Sequence, residues 1–185
     1  RDDGRRAGEA CPVFYRLDRF DRLDSGTFWF SDTPAEPGSK HWGNQIPRIC
    51  TWVHLKDRFS GQCFTAYNLH LDHQSQDSRE KSSRMLAEQI GRRSIKEPFI
   101  VMGDFNADLN NPALRSLLEG DLRPADSWQV IHGPAEPAGT FHAFSGMPQS
   151  GKIDHILVPE GMQVLEAGID QRSFDGRYPS DHFPV

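Results

Sequence analysis

The sequence predicts an α/β protein in which sheets are stacked as a sandwich with helices on the outside. Three observations carry this prediction. Short apolar runs rich in β-branched and aromatic residues recur along the chain and indicate many strands. Two segments show clear helical features. Residues 57–61 form a short loop between two adjacent strands, and such a hairpin excludes a purely parallel, doubly wound sheet.

The bulk composition is that of one globular domain. The 185 residues suffice for a sizeable core, and 36% are hydrophobic and 25% charged. The net charge of -5 argues against broad attraction to nucleic acid or anionic membranes, although a local basic groove remains compatible with it. No run approaches the roughly 20 apolar residues of a membrane span. Three cysteines without paired spacing indicate buried thiols or a reducing compartment, which favours the cytoplasm, and we expect a monomer.

The first half of the chain is read as strands separated by loops. Residues 1–10 are charged and are predicted to form a loop, and residues 31–47, rich in Pro and Gly, form a second, longer one. The predicted strands are residues 13–15, 23–30, 48–56 and 62–71. In the last of these, the alternation of side chains places Asn68 and His70 on one face, near the carboxyl end of the strand.

The second half contains both predicted helices. The first helix spans residues 77–95 and begins with a capping box formed by Asp77 and Glu80. The second helix has Pro112 at its first position and Gly120 just past its end. The remaining assignments are strands at 99–102, 153–158 and 163–169, a loop at 121–151, and a tail at 174–185 that enters a strand.

The buried strand 99–102 ends in Gly103-Asp104-Phe105-Asn106. Asp and Asn are good turn residues, so a structural role is the simpler reading of these four positions. Ligands are nevertheless met at strand tips in sheets covered by helices. A carboxylate and an amide two residues apart are able to hold a water molecule and a phosphate oxygen together, so Asp104 and Asn106 are candidate site residues.

Two further segments supply acids and histidines. Asp154 lies within an otherwise apolar strand, where an acid is costly unless it has a partner. A histidine suits this role because a carboxylate fixes its tautomer and raises its basicity. The segment Ser180-Asp181-His182 supplies that histidine, and its adjacent acid is free to bind a metal.

In this order, the motifs resemble those of the endonuclease/exonuclease/phosphatase superfamily. The matching motifs are Asn68-x-His70-Leu71, Gly103-Asp104-Phe105-Asn106, Ile153-Asp154-His155-Ile156 and Ser180-Asp181-His182. The resemblance implies a four-layer α/β/β/α sandwich of two mainly antiparallel sheets. It also implies a divalent-metal-dependent hydrolase that cleaves phosphoester or phosphodiester bonds by in-line attack of an activated water, with Mg²⁺ or Mn²⁺ as cofactor.

The resemblance assigns a role to each matched residue. Asp104 is expected to orient the attacking water, and Asn106 is expected to hold this water or a phosphate oxygen. His182 acts as base or transition-state stabiliser and is held by Asp154, while His70 donates to the phosphate. The further expected residues are Asn68 and Arg48 for substrate binding and Asp181 for the metal.

The chain also departs from the family pattern. The family takes a metal-binding Glu from strands upstream of every motif seen here. We therefore expect residues 1–185 to be the C-terminal two-thirds of a single domain, with an incomplete sandwich and no activity alone. The acidic balance favours a small phosphoester over long DNA, although both a small molecule and nucleic acid remain open as substrates.

Two alternative functions remain. The segment Asn68-x-His70-x-Asp72-His73 is one residue away from the metal-binding motif of metallo-β-lactamase-type zinc hydrolases. That reading leaves Gly103–Asn106 and Ser180–His182 unexplained. The other alternative is a non-catalytic binding module built on the same fold, although the acids and histidines downstream of residue 68 argue against it.

Overall fold

The structure is a computed structural model that describes residues 1–94, 96–133 and 139–185. Its elements, numbered in chain order, are β1 (Phe20–Trp29), β2 (Ile49–Asp57), β3 (Cys63–His70), α1 (Gln76–Gly91), β4 (Phe99–Asp104), α2 (Pro112–Leu118), β5 (Ala125–Asp126), α3 (Ser127–His132) and β6 (Asp154–Val158).

The described residues form one mixed six-stranded sheet with the strand order β1-β2-β3-β4-β6-β5. Strands β3 and β4 are parallel, since α1 crosses between them, and the other neighbouring strands are antiparallel. This arrangement confirms the predicted α/β class and the hairpin between β2 and β3. The second sheet of the predicted sandwich stays a prediction.

The sheet buries a different core on each face. The larger core lies under α1 and α2 and includes Tyr67, Leu86 and Leu114. The smaller core, on the other face, is formed by Val53, Leu55 and Ala66. Val13 and Tyr15 pack against this smaller core, so the strand predicted at 13–15 is wrong: this segment lies across the face of the sheet instead of pairing at its edge.

Helix α1 begins earlier than predicted. Its N-cap is Ser75, whose hydroxyl accepts a hydrogen bond from the backbone N–H of Ser78, so the predicted capping box is wrong. The same hydroxyl donates to the Trp42 carbonyl at 2.6 Å and fastens the long loop of residues 31–47 to the helix. The helix ends at Gly91, and residue 95 of the predicted helix lies outside the described residues.

Two other assignments need correction. Residues 121–151, predicted as a loop, contain β5 and α3, because the Asp126 carboxylate caps the helix by accepting from the Gln129 N–H; residues 134–138 of that segment are not described. Residues 163–169 form no strand and instead have no regular secondary structure. Among the helices in the described part of the chain, none combines the length and apolarity that crossing a bilayer requires.

Candidate active site

Three neighbouring strands place candidate site residues at one edge of the sheet. The parallel register aligns His70, the last residue of β3, with Asp104, the last residue of β4. The antiparallel register then aligns Asp104 with Asp154, the first residue of β6. Paired residues in a sheet point to the same face, so these three side chains project together on the face that carries the smaller core.

The end of β4 requires its glycine. Gly103 has φ 137°, and a Cβ atom at this position would lie 2.0 Å from the carbonyl oxygen of Leu69 on β3. The next residues form an Asx turn, in which Asp104 Oδ1 accepts from the Asn106 N–H at 2.7 Å. Asn106 itself has φ 48° and donates through Nδ2 to the Leu71 carbonyl at 3.0 Å. The turn is therefore fixed on both sides, which aims Asp104 out of the sheet edge.

The carboxylate of Asp104 lies between two imidazoles. Its Oδ2 is 3.2 Å from His70 Nε2 and 3.9 Å from His182 Nε2. The other ring nitrogen of His182, Nδ1, is 2.7 Å from Asp154 Oδ2. His182 comes from the C-terminal tail of the chain, where it pairs with Phe141 in an isolated β-bridge. Residues that are up to 112 positions apart in sequence thus converge around one carboxylate oxygen.

Glu9 also contacts this group through His70, and it was not predicted from the sequence. Its Oε2 is 2.9 Å from His70 Nδ1 and accepts from Arg48 Nη1 at 2.8 Å. The Glu9 side chain is 49% exposed, whereas that of Arg48 is 2% exposed. Residues 1–10 are charged and lack periodicity, so the sequence offered no signal to separate Glu9 from an ordinary loop residue.

The remaining predicted residues lie around this group. Asn68 and His182 line a cavity of about 300 Å³, and Asn68 Nδ2 donates to the Pro12 carbonyl at 2.8 Å. Arg48 lies behind Glu9, and its guanidinium is also 3.4 Å from Asp72 Oδ2, so the structure does not place it at the open surface. Asp181 is half-buried, and its backbone carbonyl accepts from the His142 N–H.

The surroundings of the site lower the pKa of Asp104 and raise the pKa of His182. Burial alone would raise the pKa of Asp104, but the hydrogen bond and charge of His70, with the Asn106 N–H, hold it below its usual value. The hydrogen bond to Asp154 raises the pKa of His182 above its usual value, and the charges of Asp154 and Asp104 add to this effect against burial. The site therefore combines an ionised carboxylate with an imidazole of increased basicity.

The same residues offer ligands for a cation. One ligand atom each from Asp104, Asp154 and His182 lies within 4.8 Å of the others. Two carboxylate oxygens suit a hard cation such as Mg²⁺ or Mn²⁺. Asp181, the predicted ligand, is not part of this group of three.

A buried network supports the site from the opposite face of β6. His155 is fully buried, and its Nδ1 is 2.9 Å from Asp126 Oδ2, which also accepts from Lys152 Nζ at 2.9 Å. Burial alone would raise the pKa of Asp126, but the bond to His155 and the charge of Lys152 hold it at about 2. Asp154 and His155 are neighbours on β6 and therefore point to opposite faces, Asp154 towards His182 and His155 towards Asp126.

Asp72 and His73, on which the zinc-hydrolase alternative depends, make contacts within the protein. Asp72 is buried and accepts from the backbone N–H groups of Gln74 and Ser75, which fixes the turn before α1. His73 Nδ1 is 2.7 Å from Arg48 Nη2. In the part of the chain that the structure describes, neither residue joins His70 in a group of potential metal ligands.

Comparison with known proteins places the chain in one family. The sequence model of the Endonuclease/Exonuclease/phosphatase family matches residues 2–182. A mannosyl-6-phosphatase of Bacteroides thetaiotaomicron is 34% identical with a TM-score of 0.87, over 98% of this chain and 71% of the phosphatase. An endonuclease/exonuclease/phosphatase protein of Bacteroides vulgatus is 32% identical with a TM-score of 0.89, over 99% of this chain and 70% of that protein. A comparison with curated proteins found no match.

More distant structures share the fold alone. TDP2 of D. rerio, solved with a single-stranded DNA product, is 21% identical with a TM-score of 0.64. The alignment covers 91% of this chain and 67% of TDP2.

Proposed function

The chain belongs to the endonuclease/exonuclease/phosphatase family, and we propose that it hydrolyses the phosphate ester of a small molecule by in-line attack of water, with Mg²⁺ or Mn²⁺ as cofactor. One observation supports this proposal above the others. The imidazoles of His70 and His182 both approach the same oxygen, Asp104 Oδ2. Phosphoryl transfer needs an oriented water, a proton acceptor and positive charge at the phosphate, and these three groups meet those needs.

The attacking water is assigned to Asp104 and His182. Asp104, ionised near neutral pH, accepts a hydrogen bond from the water, and Asn106 helps to hold the water beside it. Because Asp154 accepts from His182 Nδ1, the neutral ring carries its lone pair on Nε2, which faces Asp104. His182 Nε2 then takes the proton of the water as the new P–O bond forms. The bond from phosphorus to the ester oxygen breaks at the same time, and the departing alkoxide keeps the electron pair and takes a proton from solvent water.

The phosphate is assigned to His70 and Asn68. His70 holds Glu9 with Nδ1 and Asp104 with Nε2, and carboxylates only accept hydrogen bonds, so the ring is arranged to donate from both nitrogens. Nε2 is the donor that reaches a phosphoryl oxygen when substrate enters. Asn68 lines the same cavity as His182 and supplies a further polar contact.

The cation is assigned to the carboxylates of Asp104 and Asp154. Asp181, which precedes His182 in the sequence, stays a further candidate ligand. A bound divalent cation would neutralise charge on the phosphate and acidify a water molecule.

For the substrate, we propose a sugar phosphate. The 34% identical phosphatase acts on a mannosyl 6-phosphate by its name, and the net charge of -5 disfavours a long polyanion. In a longer protein that also contains the upstream metal-binding Glu, we therefore expect Mg²⁺-dependent release of inorganic phosphate from hexose 6-phosphates, measured beside single-stranded DNA and a chromogenic phosphodiester. Residues 1–185 alone are expected to release none. Activity that persists in excess chelator, or cleavage of DNA alone, would contradict the proposal.

A variant pair tests the assigned base. We expect His182→Ala in the intact protein to lower kcat by a factor of roughly 10²–10⁴, the range for loss of an acid–base group. The control is His41→Ala, because His41 is also near a carboxylate, Asp32, at 3.4 Å but is exposed in the loop of residues 31–47. Equal rates for the two variants would favour the non-catalytic binding module.

A second variant tests the positioning role that the structure suggests for Glu9. Glu9→Gln keeps the size of the side chain but removes the negative charge that both His70 Nδ1 and Arg48 Nη1 approach. We expect kcat to fall roughly tenfold or more, as for other residues that orient a site ligand, while KM changes less. A variant with unchanged kcat would show that the contact is only structural.

A further inference from the structure

A second group of potential metal ligands lies at the other end of β3. His54, Cys63 and Glu97 each offer one ligand atom, and the three atoms lie within 4.8 Å of one another. Cys63 begins β3 and His70 ends it, so roughly 20 Å of strand separates this group from the candidate active site. We propose that His54, Cys63 and Glu97 form a Zn²⁺ site that is distinct from the catalytic cation site.

The sheet register brings the three residues together. His54 of β2 pairs with Thr65, two residues beyond Cys63 on the same face of β3. Glu97 precedes β4 by two residues, and Phe99, the first residue of β4, also pairs with Thr65. The ligands thus come from three adjacent chain segments and face the side of the sheet that carries α1. A bound ion would join the β2–β3 hairpin to the connection between α1 and β4.

The donor set matches zinc better than magnesium. Imidazole nitrogen, thiolate sulfur and carboxylate oxygen are the three ligand types that Zn²⁺ uses, whereas Mg²⁺ selects oxygen. His54 Nε2 and Glu97 Oε2 are now 2.6 Å apart, at hydrogen-bonding distance. A tetrahedral ion needs about 3.4 Å between such ligands, so zinc would replace the shared proton after a side-chain movement of under ~1 Å.

The ligands are accessible to an ion. Cys11 and Cys50 are buried, but Cys63 is half-buried, and the side chains of His54 and Glu97 are 21% and 25% exposed. His54 and Glu97 also line a cavity of about 300 Å³. Three protein ligands beside an open cavity leave the fourth position of the ion to water.

The surrounding charges are compatible with a cation. Zinc bound to one thiolate and one carboxylate forms an electrically neutral centre, once the thiol has lost its proton to solvent, so the occupied pocket carries no excess charge. Arg93 directs its guanidinium to Thr65 Oγ1 at 3.4 Å and to the Glu97 backbone carbonyl at 3.1 Å. Lys56 pairs with Cys63 in the ladder, but it is exposed and its ammonium is able to remain in solvent.

Titration with cobalt(II) in excess Mg²⁺ tests the site without an activity assay. The excess Mg²⁺ occupies sites made of oxygen ligands, and the absorption spectrum of bound cobalt shows whether a sulfur atom is among its ligands. We expect one equivalent of Co²⁺ to produce a thiolate-to-cobalt charge-transfer absorption, which Zn²⁺ then abolishes. The Asp104, Asp154 and His182 group contains no sulfur and therefore cannot produce this band. Absence of the band in the folded protein would overturn the proposal.

Alkylation of the unaltered protein gives a second test. Among the three cysteines, Cys63 is expected to react first with iodoacetamide, as peptide mapping would show, because the other two are buried. Stoichiometric Zn²⁺ should slow this reaction at least about tenfold, and Mg²⁺ should leave it unchanged. Equal reaction rates with and without Zn²⁺ would contradict the proposed ligand.

Ligand variants locate the ion. Cys63→Ser should abolish the cobalt band, and His54→Gln should weaken zinc affinity at least about tenfold, while both retain the circular dichroism of the folded protein. His41→Gln is the control, because the His41 imidazole also lies beside a carboxylate but, among the residues that the structure describes, belongs to no group of potential metal ligands. Zinc affinity lost equally in the His41 variant, or retained in folded His54→Gln, would assign the ion to another part of the chain.

Discussion

Replacing Gly103 by alanine tests the close approach of β3 and β4 on which the candidate active site depends. The added Cβ would lie 2.0 Å from the Leu69 carbonyl oxygen and 2.9 Å from the Leu69 nitrogen. A carbon and an oxygen in ordinary contact are about 3.3 Å apart, so the strands must separate by roughly 1 Å. The φ of 137° adds strain, since side-chain-bearing residues rarely adopt it.

The expected cost is worked from these two effects. Positive φ costs roughly 1–2 kcal/mol for a residue with a Cβ. Separation of the strands weakens two bonds at their tips, Leu71 N–H to the Asp104 carbonyl and Asn106 Nδ2 to the Leu71 carbonyl, at about 1 kcal/mol each. Gly103→Ala should therefore lower the free energy of unfolding by roughly 3–4 kcal/mol, a large part of the stability of a domain.

The control is Gly61→Ala in the hairpin loop between β2 and β3. Gly61 also has positive φ, 73°, but a Cβ there meets nothing within 4 Å. Its substitution should cost only the backbone term, about 1 kcal/mol. Urea unfolding of both variants, with unchanged m-values, measures the difference. Equal midpoints for the two variants would refute the argument that β3 and β4 approach too closely for any side chain.

Two further predictions concern protonation. Asp154→Asn should lower the raised pKa of His182, so the acid limb of the pH–rate profile should move to lower pH. We also expect kcat to fall roughly 10²–10⁴-fold. An acid limb at the same pH as in the unaltered protein would contradict the assigned Asp154–His182 pair. Asp126, with a folded pKa of about 2 against 3.8, contributes roughly 2 kcal/mol of stability above pH 4 that is lost as the pH falls through 2. Urea unfolding should therefore show that the difference in free energy of unfolding between Asp126→Asn and the unaltered protein becomes smaller from pH 7 to pH 2.5. A difference that stays constant with pH would show that ionisation of Asp126 does not contribute this stability.

Local patterns were sufficient for much of the fold. The apolar run before Gly103, the hairpin loop and Pro112 each act over a few residues, so the sequence predicted β4, the β2–β3 hairpin and the start of α2. The prediction of a strand at 13–15 was wrong because its apolar residues cover a face of the sheet. An extended segment in that position has the same alternation as a strand.

Short motifs with their own turn and strand signals were enough to predict the chemical groups of the candidate site, namely Asp104, Asn106, Asp154 and His182. How these residues meet followed from the folded chain: the strand register fixes His70 beside Asp104, and packing of distant segments brings in Glu9 and assembles the His54–Cys63–Glu97 group. The physical reason is that a contact between distant segments depends on register and packing, which no local pattern encodes. For the same reason, the burial of Arg48 behind Glu9 became visible only in the folded chain.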